Sequence, residues 1–316
     1  MFLRFNRIVL ITILAGISFY SELNAANQSM DWNKELTYQT LQLDREVKLF
    51  RTYRNLPELT QAVPSVQAMP NRILYSRLNE INQKIQSIRQ QNGFPVSDNQ
   101  SFLTRDRQPV DLLVEALIRI RWELVFLNKR LGHPSEKSMP NFSNQKSKDT
   151  VYSQSTVYDQ LNHINRALDG MVDNSHIIGI AFGNCIRIHH DIDEIIRALG
   201  LNDQTSPPNR VQQAQSETLL AAFSKLLNEV RQIQRPVGVE RISGLNLSSD
   251  TPKLGELLGL SNLIVAELQP IKTYLGLAND QPFLTTNYRD KQLGDILQLL
   301  AWGLRKIKQI QLLQVN

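Results

Sequence analysis

The chain has 316 residues, a formal net charge of +5 and a single cysteine. The basic excess is small and scattered, which excludes a dedicated nucleic-acid surface, because such a surface needs lysines and arginines clustered on one face. One cysteine cannot form an intramolecular disulfide, so the fold must depend on an apolar core, and a chain of this length can bury a sufficient one.

The N-terminus has the pattern of an export signal. Residues 1–7 contain two arginines and no acid, an apolar run follows from Ile8 to Tyr20, and small residues close the segment. This order predicts a signal peptide over residues 1–26 and a periplasmic or secreted protein. An uncleaved anchor is the alternative, although the run is shorter than the roughly 20 residues that a spanning helix needs, and no later segment is long and apolar enough to span.

Helical periodicity begins directly after this signal. Apolar residues and one threonine, spaced by four and three residues, form a seam that predicts a first helix from Asp31 to Tyr53. The members of the seam are Leu36, Thr40, Leu43, Val47 and Phe50. Three prolines, Pro57, Pro64 and Pro70, then predict a connector, because proline interrupts a helix.

The next helix belongs to a first type that recurs 83 and 145 residues further along. Its three seams are Leu74, Leu78, Ile81, Ile85 and Ile88; Val157, Leu161, Ile164, Leu168 and Met171; and Leu219, Phe223, Leu226, Val230 and Ile233. Asparagines flank the first two seams at Asn79, Asn82, Asn162 and Asn165. We expect them to fix the register of helix packing through hydrogen bonds, with contact to a ligand as the alternative.

A second helix type follows each copy of the first. Its seam runs from Leu113 to Leu131, recurs 68 and 144 residues later, and is closed each time by a glycine: Gly132, Gly200 and Gly276. Glycine just past a helix end predicts a left-handed C-cap. A looser fourth copy, without a closing glycine, lies at Leu293, Leu297, Leu300, Leu304 and Ile307.

These patterns predict an all-α protein of about eight antiparallel helices in repeated helix-pair units. The pairs span 71–132, 156–200 and 214–276, between a leading and a final helix. The period leaves open whether they form a helical repeat array or two packed helical bundles. The polar stretch 133–155 predicts a flexible connector between an N-terminal helical region, 27–132, and a C-terminal one, 156–316.

The second helix type has more apolar surface than its seam needs. Ile118, Trp122 and Val125 form another stripe, and the later copies carry glycines four residues apart: Gly179, Gly183, Gly255 and Gly259. Such glycines let another helix approach closely, so intramolecular packing is the favoured interpretation. The alternative is a surface for another protein or a small apolar ligand, with Trp302 as a further member.

Cys185, His189 and Asp193 lie on one line of a helix at steps of four residues. Thiolate, imidazole and carboxylate at this spacing can bind zinc or copper. The repeat favours a structural role, because Cys185 occupies the seam position of Leu117, and His189 aligns with Arg121, which predicts an exposed histidine. A metal site is therefore the alternative, and no cofactor is predicted.

Sequence motifs of catalysis do not occur in the chain: there is no nucleophile elbow, no phosphate-binding loop and no dinucleotide fingerprint. We therefore expect an exported, non-catalytic helical repeat protein that serves as a binding or scaffold module for another protein or a small apolar ligand. The alternative is an exported metal-binding protein. A homo-oligomer is compatible with either function.

Overall fold

The computed structural model describes residues 31–59, 69–96, 109–133, 154–235, 254–277 and 288–313. These residues form eight α-helices and no β-strand, which confirms the predicted all-α fold. The helices are α1 (Trp32–Tyr53), α2 (Asn71–Gln91), α3 (Val110–Arg130), α4 (Gln154–Asp169), α5 (Asn174–Ala198), α6 (Ser216–Ile233), α7 (Leu254–Tyr274) and α8 (Leu293–Leu313). The predicted signal peptide and most of the predicted flexible connector lie outside the described residues.

Local signals set where the helices begin and end. Asp31 caps α1 by accepting a hydrogen bond from the backbone N–H of Lys34 at 3.3 Å. The three glycines that were predicted to close helices, Gly132, Gly200 and Gly276, have φ angles of +78°, +70° and +68°. In each case the N–H of the next residue bonds back to the last turn, which satisfies carbonyl groups at the helix end. Among the described helices, none combines the length and the apolar character that crossing a bilayer requires.

The helices form two four-helix bundles of the same topology. In the first bundle α1 and α2 each pack against both α3 and α4, and in the second α5 and α6 each pack against both α7 and α8. The helices α1 and α2, like α5 and α6, therefore lie diagonally opposite each other in their bundle instead of side by side. The apolar seams face the bundle interiors, and their buried side chains form one continuous core.

A long connection joins the diagonal helices α5 and α6 of the second bundle. Residues 201–215 contain no helix and run along α8. Trp302 Nε1 donates a hydrogen bond to Thr205 Oγ1 at 2.8 Å, and Gln298 Nε2 donates to the carbonyl of Pro208 at 2.7 Å. These contacts fix the crossover that a diagonal arrangement requires.

The two bundles meet through α2 and α7. The described helices therefore form two packed helical bundles, which is one of the two arrangements that the sequence left open. The predicted pairs 71–132 and 214–276 pack as neighbours. The helices of the pair 156–200 fall in different bundles, because α4 packs against α1 and α2, whereas α5 packs against α7 and α8.

The second bundle repeats the first at nearly constant offsets. The buried stripes of α1 and α2 recur 145 residues later in α5 and α6, that of α3 recurs 144 residues later in α7, and that of α4 recurs 139 residues later in α8. The buried stripe of α8 is Ile296, Leu300, Gly303, Ile307 and Ile310. The looser seam predicted for this helix is displaced from it, since Leu293, Leu297 and Leu304 are only half-buried.

Candidate functional site

Of the three side chains of the metal alternative, two have partners of their own and the third is a buried thiol. Cys185 is buried, and burial raises the pKa of its thiol, which disfavours the thiolate that a metal requires. His189 Nε2 donates a hydrogen bond to the carbonyl of Leu299 at 2.6 Å. The carboxylate of Asp193 lies 2.5 Å from the ammonium of Lys306. His189 and Asp193 are thus already engaged, and among the described residues the three groups do not converge on one centre.

His189 is buried, so its predicted exposure was wrong. The reason is that α5 corresponds to α1, not to α3, and α8 covers this part of α5. His189 contacts the half-buried Trp302 of α8, with 4.8 Å between ring centroids. The same two positions in the first bundle are Asp44 and His163, whose side chains approach to 3.8 Å. The contact belongs to the interior of the second bundle.

A different group of possible ligands comes together on α5. In the described part of the chain, His190, Asp191 and Glu194 each bring one ligand atom to within 4.8 Å of the others. The ammonium of Lys272 lies 2.7 Å from both carboxylates. A divalent cation would have to displace this buried ammonium, so the ion pairs explain the group without a metal.

Three lysines with fully or almost fully buried side chains each bridge two carboxylates. They are Lys84 with Glu80 and Asp169, Lys272 with Asp191 and Glu194, and Lys306 with Asp193 and Asp203. Although burial raises the pKa of Glu80, the charges of Arg77 and Lys84 hold that pKa below its ordinary value. Buried charges need such partners, so these clusters are structural ion pairs between helices.

The four glycines that were predicted to allow close packing, two on α5 and two on α7, are covered by the same chain. An added Cβ at Gly179 would lie 3.0 Å from the carbonyl oxygen of Tyr288, and one at Gly183 would lie 3.5 Å from the ring of Tyr288. On α7 a Cβ at Gly255 would overlap Asp169, and one at Gly259 would lie 3.3 Å from the side chain of Arg77. The four glycines therefore admit close packing, as favoured from the sequence.

The apolar stripe on α3 differs from these glycines because it faces solvent. Trp122 is 58% exposed, and Phe126, which the sequence did not single out, is 46% exposed. Ile118 and Val125 are half-buried beside them. We define the outer face of α3 as the residues opposite its seam: Asp111, Glu115, Ile118, Trp122, Val125 and Phe126.

Arginines surround the two exposed rings. The guanidinium of Arg121 lies 5.4 Å from the centroid of the Trp122 ring. Arg130 and Arg89 lie 5.0 and 6.0 Å from the centroid of the Phe126 ring. Trp and Arg are the residue types most enriched at the centres of protein interfaces. The outer face of α3 is therefore our candidate functional site.

The second bundle contains a helix face, on α7, that is equivalent to the outer face of α3. A shift of 144 residues brings the outer face of α3 onto Gly255, Gly259, Asn262, Ala266, Gln269 and Pro270 of α7. Asn262 and Ala266 are completely buried at the contact of α7 with α2. One helix face is thus a packing surface in one bundle and exposed to solvent in the other.

Comparison with known proteins gives no further assignment. No protein-family model, curated protein or solved structure matches the chain. The function must therefore be inferred from the outer face of α3 and from its equivalent in the second bundle.

Proposed function

We propose that the protein is an exported, non-catalytic scaffold that binds another protein through the outer face of α3. The observation that carries the proposal is the exposure of Trp122, 58%, on a helix face whose equivalent in α7 is a buried helix contact. Exposed tryptophan flanked by arginines supplies a large apolar anchor together with donors for a polar rim.

A protein partner suits this surface better than a small apolar ligand. The glycines that were candidates for lining a ligand groove lie under Tyr288, Asp169 and Arg77. Trp302, the remaining candidate, donates its Nε1–H to Thr205 inside the second bundle. The exposed apolar area of the candidate residues is therefore concentrated on the outer face of α3.

Photo-crosslinking in the host tests the binding surface. A benzoylphenylalanine is placed at Trp122 in one version of the chain and at Tyr274 in another. Tyr274 is also an exposed aromatic residue, at 65%, but it lies at the end of α7. We expect ultraviolet light to yield a discrete protein adduct from position 122 and none from position 274. Equal adducts from both positions, or none from either, would contradict the proposal.

Stability measurements show whether Trp122 also has a structural role. Trp122→Ala should change the free energy of unfolding by no more than about 0.5 kcal/mol, because the ring is largely exposed. Leu124→Ala, two residues away but buried in the seam, should cost about 2–5 kcal/mol. A large loss from Trp122→Ala would assign the ring to folding.

Export rests on residues 1–26 and has its own test. N-terminal sequencing of the protein recovered from host cells should start at Ala26 or Asn27, as signal cleavage requires. A chain that still begins at Met1 and fractionates with cytosolic markers would contradict export without affecting the binding surface.

A further inference from the structure

The contact between the two bundles is specific in its register. The outer face of α2, which consists of Arg72, Ser76, Asn79 and Gln83, packs on the outer face of α7. Asn79 Nδ2 donates to Asn262 Oδ1 at 2.7 Å, and Asn262 Nδ2 donates to Gln83 Oε1 at 2.9 Å. Arg72 lies 3.3 Å from Glu267, further along α7. The two helices are therefore antiparallel. Ser76 lies between Arg72 and Asn79, so interpolation between these pairs brings it to the segment of α7 between Asn262 and Glu267, where Ala266 belongs to the outer face.

Each bundle contains one helix that is equivalent to α2 and one that is equivalent to α7. The internal contact uses α2 of the first bundle and α7 of the second. The unused equivalent of the α7 face is the outer face of α3. The unused equivalent of the α2 face lies on α6, at Glu217, Ala221, Ser224 and Asn228. Three of these four residues are exposed, and Ser224 is half-buried. We define them as the outer face of α6.

We propose that the outer face of α3 binds the outer face of α6 on a second copy of this chain, in the register of the internal α2–α7 contact. Because this assembly uses the outer face of α3, it rests on the proposed function and names the partner. The argument depends on complementary size and charge at equivalent positions.

Side-chain sizes are complementary in this register. In the internal contact Ala266 of α7 and Ser76 of α2 are both small, and Asn262 comes opposite Asn79. Between copies Trp122 occupies the position of Ala266, and Ala221, which is smaller than serine, occupies that of Ser76. Similarly, Ile118 replaces Asn262 and comes opposite Ser224. A bulky side chain thus meets a small one at both central positions, which close helix packing requires.

Charges are complementary at one end of the same surfaces. An added Cβ on Gly255 would meet Asp169. The position equivalent to Gly255 holds Asp111, and the position equivalent to Asp169 holds Lys308. An added Cβ on Gly259 would meet Glu80. The position equivalent to Gly259 holds Glu115, and the position equivalent to Glu80 holds Lys225. All four charged residues are exposed. Each carboxylate on α3 therefore comes opposite a lysine of the second copy, which favours this pairing over others.

One position of the contact is not complementary. The internal ion pair of Arg72 with Glu267 becomes Glu217 opposite Glu123. Glu123, however, forms an ion pair with Arg89 within its own bundle. That arginine offsets the charge repulsion at the edge of the contact.

The contact is heterologous, because it joins two different surfaces. Each copy offers one outer face of α3 and one of α6, so copies join head to tail, and the rotation between them decides whether they close into a ring or continue as a filament. We therefore expect the mass of the purified protein in sedimentation and light scattering to rise with concentration above that of the monomer.

Two variants that each block one surface test this arrangement. Trp122→Glu places a carboxylate at the centre of the α3 face, and Ala221→Tyr fills the position on α6 that should receive the tryptophan. Each variant alone should be monomeric. An equimolar mixture should form a one-to-one dimer and nothing larger, because only one intact surface of each kind remains. Tyr274→Ala, a change outside both surfaces, should assemble like the wild type, and circular dichroism should show that every variant is folded.

The outcomes separate this assembly from the proposed function. A wild-type protein that is monomeric at its highest soluble concentration overturns the assembly, while an adduct with another protein at position 122 would leave the proposed function intact. Assembly that is lost in Trp122→Glu but unchanged in Ala221→Tyr overturns the α6 partner alone. Absence of both assembly and any adduct at position 122 overturns both proposals.

Discussion

The ammonium of Lys272 on α7 lies 2.7 Å from the carboxylate of Asp191 on α5, and both side chains are completely buried. The equivalent positions in the first bundle hold Asn128 and Glu46, which are joined by a hydrogen bond of 3.4 Å. Both bundles therefore keep a polar contact between their first and third helices. Only in the second bundle does this contact pair two opposite charges, with Glu194 as a further partner of the lysine.

Removing the ammonium of Lys272 should destabilise the protein strongly. Lys272→Met leaves Asp191 buried without its main partner, and we expect a loss of about 3–5 kcal/mol in the free energy of unfolding by urea. The added change Asp191→Asn should recover part of this loss, because it removes the stranded charge. Lys129→Met, at an exposed position of α3, is the control and should have little effect. A loss below about 1 kcal/mol for Lys272→Met would show that water replaces the ammonium.

Apolar periodicity predicted the local structure well, because a buried stripe and a closing glycine are properties of a single helix. The seams of α1, α2, α3 and α6 are buried almost completely, and the three closing glycines have positive φ angles. The same periodicity could not show which helices are neighbours. It grouped α4 with α5 because they are adjacent in the sequence, whereas the crossover 201–215 makes the repeating unit four helices long.

Long-range polar contacts were the part that periodicity could not predict. Lys84 and Lys306 resemble exposed lysines in sequence, and their burial depends on carboxylates from other segments. The asparagines are an intermediate case. Asn79 does bond across a helix contact, as expected, but its partner Asn262 belongs to the other bundle. Exposure of Trp122 was equally inaccessible, because it depends on which helix lacks a neighbour.

Two glycines of α8 should respond to alanine in opposite directions. A Cβ at Gly294 would overlap the carbonyl oxygen of Val211, so the backbone must shift, and we expect Gly294→Ala to cost about 1–3 kcal/mol. At Gly303 the nearest atoms are 3.7 Å away, so Gly303→Ala should stabilise by about 0.5–1 kcal/mol through helix propensity. Thermal unfolding of both variants measures the difference. Equal effects would contradict the close approach of the crossover to α8.

The hydrogen bonds of Asn262 should hold the two bundles in register. Asn262→Ala leaves the buried Asn79 and the half-buried Gln83 with fewer partners, and we expect it to cost about 1–3 kcal/mol. Asn228→Ala, at the exposed α6 position equivalent to Gln83, should change stability by less than about 0.5 kcal/mol when measured at low protein concentration. Urea unfolding followed by fluorescence and circular dichroism gives both values. Similar values for the two asparagines would contradict a register role.

His189 should make the protein less stable in acid. Burial lowers the pKa of this imidazole below its ordinary value of 6.5, and the charge of Lys306 lowers it further, against the hydrogen bond to Leu299 and the carboxylates of Asp193 and Asp203. Below pH 6.5 the unfolded chain therefore binds a proton that the folded chain resists. Above that pH the protonation of His189 does not affect stability. Stability falls as the pH drops from there toward the pKa of His189 in the folded chain.

The measurement is the free energy of unfolding by urea at about pH 7.5 and about pH 5.5. The proton uptake of one histidine accounts for at most about 1.4 kcal/mol per pH unit, and His189→Leu should remove that part of the loss. The variant should be less stable than wild type at the higher pH, because it lacks the bond to Leu299, and the two should converge at the lower pH. His190→Leu, a change at the half-exposed neighbouring histidine, is the control. If His189→Leu loses as much stability between the two pH values as the wild type does, then another group causes the acid sensitivity.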